Sequence, residues 1–176
     1  MADFKKLNAE TGELLYKYFK DKKDNGGNDY IFHLYAVANA VENELIREKI
    51  DKHSDEYEFY TKAYYVALLH DILEDTECTE EELIEIGCDA EMIEAIKAIT
   101  RLKSEQFYFN FIKRVSENPI ATLVKIYDLE NNMDVRRLTS FGDYEMKRLK
   151  KYWYSWKYLK AEISEETYMK NIFQFR

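Results

Sequence analysis

Helix-breaking residues are scarce in this sequence. Its 176 residues include one proline and five glycines, whereas Leu, Lys, Glu, Ala and Met, which all favour helices, are abundant. Apolar residues recur at steps of three and four positions, the spacing of one face of an α-helix. The sequence therefore predicts an all-α fold. At this length one domain, residues 1–176, can bury a sizeable core.

Turn signals divide the chain into predicted helices. The first helix ends before the turn-forming cluster 24–28, and later helices cover about 32–50 and 57–73. Thr79 and Glu82 match a capping box, in which each side chain accepts a hydrogen bond from the other residue's backbone N–H. That short helix should end at Gly87. The next two helices are predicted to start at the N-caps Asp89 and Ser104, and Pro119 suits the first turn of the one after.

The C-terminal segment, at about 143–176, is rich in aromatic residues. Helices are predicted at about 144–159 and 164–173, and the first contains KYWYSWKYLK. These rings supply large apolar area with polar edges, so the segment is expected to pack on the domain or on a partner. A homo-oligomer is one such possibility.

Composition limits the classes of partner and the compartment. The formal charge of −8 argues against nucleic-acid binding, which needs clustered Lys and Arg, but leaves small anionic ligands open. No run of about 18 apolar residues or apolar signal core occurs, so neither a membrane span nor a secretory signal is expected. Cys78 and Cys88 match no zinc pattern and indicate reduced thiols. A cytoplasmic location is predicted.

Three predicted helices each direct a metal-binding group toward the interior. His33 comes from one, the pair His70-Asp71 from the second, and Asp128, below Ala121 and Val124, from the third. Burying an ionised carboxylate without compensation is costly, and a divalent cation that also binds both histidines would offset that cost. Two imidazoles and two carboxylates with open positions suit Mn²⁺ or Fe²⁺ better than a closed structural zinc site.

Two further carboxylates follow the pair. Glu74 lies four residues after His70, and Asp75 lies four after Asp71, so a continuous helix would put both one turn from the metal. There they can activate the attacking water and protonate the leaving group. The alternative is a solvated acidic loop that continues into 77–82.

The segments NDYIFHLYAVA, ALLHDILEDT, TEEEL, AITRL and LVKIYDLENNM, in that order, resemble the HD hydrolase domain of RelA/SpoT-type alarmone hydrolases, including small single-domain relatives. The resemblance covers about 22–138. It implies a helical fold with one Mn²⁺ at His33, His70, Asp71 and Asp128. It also implies water activation and proton transfer by Glu74 and Asp75, and removal of pyrophosphate from the 3′ position of (p)ppGpp.

The resemblance extends to substrate contacts. Lys22 and Lys23 match basic residues at the mouth of the family's site, although an exposed helix end is an equal alternative. Lys125 matches a lysine three residues before the last metal aspartate. Asn132 matches an asparagine that contacts the nucleoside, and it lies one turn beyond Asp128 on the same face; a helix C-cap is its alternative role.

The chain departs from the family pattern at two places. Leu34 replaces a proline after His33, which leaves the ligand intact. The family's DRLHNM is DLENNM at 128–133, so an Arg and a His are lost beside Asp128, and this puts substrate identity in doubt. The remaining histidine, His53, lies in a polar stretch and is expected to be exposed, so one metal is favoured over two.

Three functions remain open from the sequence. The first is a Mn²⁺-dependent hydrolase of ppGpp, with Fe²⁺, Co²⁺ or Zn²⁺ as alternative metals. The second keeps the metal but acts on a nucleoside monophosphate or an NADPH-like nucleotide, because fold does not determine substrate. The third is a non-catalytic binding module on an HD scaffold.

Overall fold

The computed structural model describes residues 1–172 and confirms the all-α prediction, with no strand in that range. A 3₁₀ turn at Val135–Arg137 joins the last two α-helices to the rest. The helices are α1 (Phe4–Phe19), α2 (Ile31–Arg47), α3 (Asp55–Leu69), α4 (Ile72–Asp75), α5 (Glu80–Glu85), α6 (Ala90–Ile99), α7 (Tyr108–Ser116), α8 (Pro119–Asn132), α9 (Asp143–Leu159) and α10 (Glu165–Ile172).

Helices α2, α3 and α8 pack against one another and form the centre of the bundle. α1 lies against α3, α6 lies against α3 and α8, and α7 and α9 cover α8. The inward faces form one apolar core that includes Phe19, Leu34, Leu69, Ile96 and Val124. Each large apolar side chain removed from water contributes roughly 1.5–3 kcal/mol. The core thus fixes the three helices from which the predicted metal-binding groups project.

Several predicted helix starts are confirmed. Thr79 and Glu82 form the capping box, with Thr79 Oγ1 accepting from the Glu82 N–H at 3.3 Å and Glu82 Oε2 accepting from the Thr79 N–H at 3.1 Å. Asp89 accepts from the N–H of Met92. Pro119 occupies the first turn of α8, where its missing N–H costs nothing.

The prediction that Ser104 caps a helix is wrong. α7 begins at Tyr108, and the residue before it, Phe107, makes no side-chain capping bond. Glu105 instead closes a turn, since its Oε2 accepts from the N–H of Leu102 at 2.8 Å, and Arg114 holds the same carboxylate. The turn therefore occupies the positions where an earlier helix start was expected.

The predicted helix 57–73 is interrupted near its end. α3 starts at Asp55, capped by Ser54, and stops at Leu69. Asp71, with φ −101° and ψ 0°, stays in the right-handed helical region but departs from ideal helix values before α4 begins. No glycine or proline marks this break in the sequence. His70 and Asp71 therefore form a short turn between the two helices.

The aromatic C-terminal segment packs on the body of the protein within the described residues. Helix α9 packs against α7 and α8, and the ring centroids of Phe109 and Tyr168 are 5.4 Å apart. The predicted end of the last helix at Phe173, and the rest of the segment to 176, lie outside the described residues. In residues 1–172, every helix is either too short or too polar to cross a membrane.

Candidate metal centre

Four predicted metal-binding residues meet at the junction of α2, α3, α4 and α8. His33 lies in the first turn of α2, His70 and Asp71 connect α3 to α4, and Asp128 lies one turn before the end of α8. Both histidines and Asp128 are buried, and the Asp71 side chain is 19% exposed. The Asp71 carboxylate lies close to the ring of its neighbour, His70.

The ligand atoms of these residues are close together. Asp71 Oδ2 lies 3.0 Å from His70 Nε2 and 3.7 Å from His33 Nε2. Asp128 Oδ1 lies 3.2 Å from His33 Nε2 and 3.6 Å from His70 Nε2. His33, His70 and Asp71 each offer one atom within 4.8 Å of the other two, which is close enough to hold a metal ion.

The protonation of His70 fits a cation at this point. Its Nδ1 lies 2.7 Å from the carbonyl oxygen of Ala67, so Nδ1 carries a hydrogen, and in the neutral ring Nε2 is the acceptor. Nε2 is buried and has no hydrogen-bond partner in the described residues, although it faces two carboxylates. Burial lowers the pKa of His70, but Asp71 and Asp128 raise it more, to about 10. The negative charge of Asp71 and Asp128, which raises the pKa of His70, also favours the binding of a divalent cation.

Both carboxylates are held in the ionised state. Burial would raise the pKa of Asp71, but His70 lowers it to about 2. Lys125 and the histidines lower that of Asp128 well below its usual range, against the effect of burial. Tyr30 Oη donates to Asp71 Oδ2 at 2.5 Å, and Lys125 Nζ donates to Asp128 Oδ2 at 2.7 Å. Two ionised carboxylates and two imidazoles match the donor set that Mn²⁺ or Fe²⁺ accepts.

A cavity of about 310 Å³ opens above this cluster. His33, Asp71 and Asp128 line its floor, together with Asn132. Its lining contains acidic and basic side chains in similar number; the basic ones are Lys23, Arg101, Lys125, Arg137, Arg148 and Lys151. The lining is thus far less acidic than the protein as a whole, whose net charge is −8, and its basic side chains suit an anionic ligand.

The two predicted catalytic carboxylates both line the cavity but differ in their partners. Glu74 Oε2 accepts from the backbone N–H of Arg101 at 2.7 Å, and partial burial raises the pKa of Glu74. Asp75 forms an ion pair with Lys22, with Nζ and Oδ2 3.1 Å apart. Although the helix is broken, the Asp75 N–H still donates to the Asp71 carbonyl at 2.9 Å. Glu74 and Asp75 therefore stay one turn above the cluster.

The four residues predicted to contact substrate differ in their partners and in whether they line the cavity. Lys125 and Asn132 line the cavity and bind opposite oxygens of Asp128, Asn132 at 2.5 Å. Lys23 lines the cavity and pairs with Asp29. Lys22 lies beside the lining, where it pairs with Asp75. His53 is exposed, as expected.

Sequence reasoning missed a basic wall of the cavity, formed by Arg101, Tyr108, Arg148, Lys151 and Tyr152. Lys151 Nζ lies 4.5 Å and 5.1 Å from the ring centroids of Tyr108 and Tyr152. Burial, together with the nearby cations, lowers the pKa of Lys151 to about 8. Arg148 Nε is buried without a hydrogen-bond partner in the described residues. In the sequence, KRLKKYW reads as a solvated helix face and gives no signal of a site.

Tyr30, Asn131 and Arg137 were also missed as site residues. Tyr30 had a signal, because it is the Tyr of the YIxH motif, three residues before His33. Asn131 and Arg137 both contact the Nδ1 side of His33. Asn131 was noted in the sequence only as a departure from a family pattern.

Comparison with known proteins gives one informative similarity. No protein-family model matches the sequence. A protein of Aquifex aeolicus described as guanosine-3′,5′-bis(diphosphate) 3′-pyrophosphohydrolase is 31% identical to the chain over 154 residues. The match covers 81% of this chain and 20% of the relative. The chain therefore spans about a fifth of the length of this relative, and the similarity suggests an HD-domain hydrolase.

Proposed function

We propose that this chain is a divalent-metal-dependent phosphohydrolase that removes pyrophosphate from the 3′ position of ppGpp. One observation carries the proposal: four candidate metal-binding side chains lie together, and three of them line a cavity that six basic side chains also line. The description of the Aquifex relative as a ppGpp 3′-pyrophosphohydrolase supports the choice of ppGpp. ppGpp carries a diphosphate at the 3′ and at the 5′ position of the ribose. It therefore suits a cavity with six basic side chains better than a nucleoside monophosphate does.

His33, His70, Asp71 and Asp128 would hold the metal, with Mn²⁺ as the first choice because the donors are imidazole nitrogens and carboxylate oxygens. When bound, such an ion acts as a Lewis acid toward a phosphoryl oxygen and lowers the pKa of water. Tyr30 and Lys125 restrict the two carboxylates by hydrogen bonds to their Oδ2 atoms. These bonds leave Asp128 Oδ1 directed toward the two Nε2 atoms.

Glu74 would transfer protons, and Asp75 would orient the attacking water. A carboxyl with a raised pKa exchanges a proton near neutral pH more readily than an ordinary one, which favours Glu74 for proton transfer. Asp75, held by Lys22, would orient the attacking water. In the reaction, the oxygen of water bonds to the phosphorus attached to O3′ and the bond from phosphorus to O3′ breaks. O3′ takes up a proton, and the products are GDP and pyrophosphate.

The cations of the cavity would neutralise the phosphates. Lys22 pairs with Asp75, Lys125 pairs with Asp128, and Lys23 lines the cavity. Asn132, next to Asp128, would contact the nucleoside. Preorganised donors aimed at developing charge are among the largest contributors to catalysis.

The test is a Mn²⁺-dependent activity screen over ppGpp, pppGpp, NADPH and deoxynucleoside monophosphates, which follows pyrophosphate and phosphate release separately. Pyrophosphate from ppGpp supports the proposal. Phosphate from NADPH or a monophosphate would instead support the second reading of the sequence. Asp71→Ala should abolish activity, whereas Asp21→Ala, an exposed Asp outside the cavity, should retain it. Absence of hydrolysis with every substrate would contradict the enzyme proposal.

A further inference from the structure

A hydrogen bond on the outer side of His33 determines which of its nitrogens faces the cavity. His33 Nδ1 lies 2.8 Å from Asn131 Oδ1, and Nε2 points toward Asp128. A neutral imidazole has one donor and one acceptor nitrogen, so the partner of Nδ1 decides whether Nε2 can bind a metal. The question is what fixes the orientation of the Asn131 amide, whose oxygen and nitrogen ends have opposite hydrogen-bonding roles.

Arg137 fixes that orientation. Its Nη1 contacts Asn131 Oδ1 and lies 3.2 Å from the backbone oxygen of the same residue. A guanidinium has only donors, so the Asn131 oxygen must be the end that faces Arg137. That oxygen also faces His33 Nδ1, which therefore carries the hydrogen. The 3.4 Å contact between Arg137 Nη1 and His33 Nδ1 is then a contact of two donors that share one acceptor.

Arg137 is itself held by the turn after α1. Its Nη2 donates to Asp24 Oδ2 at 2.9 Å, and Asp24 Oδ1 accepts from the N–H groups of Gly26 and Asn28. A Cβ atom at Gly26 would lie 2.6 Å from the backbone oxygen of Arg137, so only glycine allows this approach. The Asp24 carboxylate is 8% exposed, and its pKa is low because Arg137 and the two N–H groups outweigh the effect of burial.

We propose that Asp24, Arg137 and Asn131 form a positioning relay that selects the metal-binding tautomer of His33 and thereby sets the affinity of the site for its metal. The inference rests on the proposed function, because it takes His33 as a metal ligand. Groups that hydrogen-bond the outer nitrogen of a metal-bound histidine typically change metal affinity about 10- to 100-fold when they are removed. The relay joins a loop at the mouth of the cavity to its floor, since Asp24, Gly26 and Arg137 all line the cavity.

The first test measures Mn²⁺ binding by calorimetry on metal-stripped protein, without nucleotide. Asn131→Leu removes the acceptor and should weaken binding about 10- to 100-fold. Asn131→Asp keeps an acceptor and should bind at least nearly as tightly as wild type. Thermal unfolding of the metal-free variants checks that each is folded. Equal affinity of Asn131→Leu and wild type would overturn the proposal.

The second test isolates the orienting role of Arg137. Arg137→Met should weaken Mn²⁺ binding, because the Asn131 amide is then free to turn its NH₂ group toward His33. Adding Asn131→Asp should restore binding, because both oxygens of a carboxylate accept and no orientation needs to be selected. Arg136→Met is the matched control, since Arg136 is 87% exposed and pairs only with Asp134 among the described residues.

Rescue by Asn131→Asp shows that Arg137 acts by orienting the Asn131 side chain. If Arg137 only supported the fold, a carboxylate at position 131 would not restore Mn²⁺ binding. If the double variant binds as weakly as Arg137→Met, Arg137 does not act through Asn131 and the relay is wrong. If Arg137→Met does not fold, the pair Asn131→Leu and Asn131→Asp still decides. The proposed function is judged by hydrolysis and this inference by metal affinity, so each can fail without the other. Wild-type protein that binds no divalent metal would overturn both.

Discussion

Glu74 differs from the other carboxylates at the floor of the cavity. Its pKa is raised by partial burial, whereas neighbouring cationic groups hold those of Asp71 and Asp128 low. Its hydrogen bond comes from a backbone N–H rather than from a lysine or a histidine. Glu74 can therefore gain and lose a proton while the proposed metal ligands stay ionised.

We predict that Glu74→Gln lowers kcat about 10²- to 10⁴-fold, the usual contribution of a general acid or base. The amide keeps the size and the acceptor oxygen, so Mn²⁺ affinity should not change. Steady-state kinetics with the best substrate and calorimetry with Mn²⁺ measure the two effects. Glu77→Gln, at an exposed position nearby, is the control. An unchanged kcat would remove Glu74 from the proton-transfer role.

Lys151 should make anion binding depend on pH. Its pKa of about 8 means that it is cationic below pH 8 and neutral above it. We predict that inorganic pyrophosphate binds metal-free protein less tightly as pH rises from 7 to 9, because the charge on Lys151 is lost. Lys151→Gln should bind more weakly at pH 7 and show a flatter profile. Ionisation of pyrophosphate itself is common to both proteins, so the difference between them reports Lys151.

Calorimetric titrations at several pH values measure this effect. Lys147→Gln, an exposed change on the same helix, should keep the wild-type profile. Parallel profiles for wild type and Lys151→Gln would show that Lys151 does not contact the anion.

The sequence indicates a site residue where a polar side chain falls on an otherwise apolar helix face. His33, His70 and Asp128 lie on apolar helix faces, and a buried charged or imidazole group there demands a partner. Arg148 and Lys151 carry no such pattern, because lysines and arginines on a helix usually extend into solvent. Asn131 needed the tertiary structure, since its role depends on Arg137, which approaches from a separate turn.

At the scale of elements, the loop between α6 and α7 depends on Arg114. Its guanidinium donates to the carbonyl oxygens of Lys97, Ala98 and Thr100 at the end of α6, and it forms an ion pair with Glu105. The carbonyls at a helix C-terminus lack intrahelical partners, so a cation there both completes their bonding and complements the helix dipole. The same loop contains Arg101, whose N–H binds Glu74.

We predict that Arg114→Met lowers the free energy of unfolding by about 2 kcal/mol, because charge-assisted bonds in a partly buried setting are lost. It should also lower kcat, since the loop that fixes Glu74 is loosened. Lys113→Met is the control: its ion pair with Glu165 is exposed and should contribute less than about 1 kcal/mol. Urea unfolding of the metal-free proteins measures the stability of both variants, and steady-state kinetics measures their kcat. Equal losses for the two variants would contradict the assigned role of Arg114.

Helix starts were more predictable than the break between α3 and α4. Thr79, Asp89 and Pro119 act through local backbone bonds that the sequence specifies. The helix is interrupted at His70 and Asp71 without a local signal, and the Asp71 side chain contacts His70 and Tyr30. Such a break depends on long-range contacts, which periodicity does not report. The start of α7 was misjudged for a similar reason, because Glu105 pairs with Arg114 nine residues away.

For the whole molecule, the buried charge cluster links stability to pH. The pKa of His70 in the folded protein is about 10, above its ordinary value of 6.5. The stabilisation from protonated His70 is therefore complete below pH 6.5 and is lost as pH rises toward 10. Lys151 acts in the opposite direction. Its pKa is lowered to about 8, so burial of its charged form destabilises the protein at low pH, and this cost is lost as pH rises above 8. Asp71 and Asp128 stay ionised throughout this window.

We predict that metal-free protein loses stability from His70 between pH 6.5 and 10, and that His70→Asn removes this contribution. Urea unfolding in the presence of a chelator, at intervals of pH, gives the difference between the two proteins. His53→Asn, at an exposed site, should follow the wild-type curve. A difference that does not change with pH would contradict a raised pKa for His70. Added Mn²⁺ should stabilise wild type by mass action and His70→Asn much less.

The cavity is built from two parts of the chain. The four proposed metal-binding residues all precede residue 129, and they project from helices in the centre of the bundle, whereas Arg148, Lys151 and Tyr152 belong to α9 on its outside. Most of the basic wall can thus vary independently of the floor. A mutant library confined to the cavity face of α9 is therefore a rational starting point for changing which anions the cavity binds, because it would exchange the proposed recognition surface and leave the proposed metal-binding residues intact.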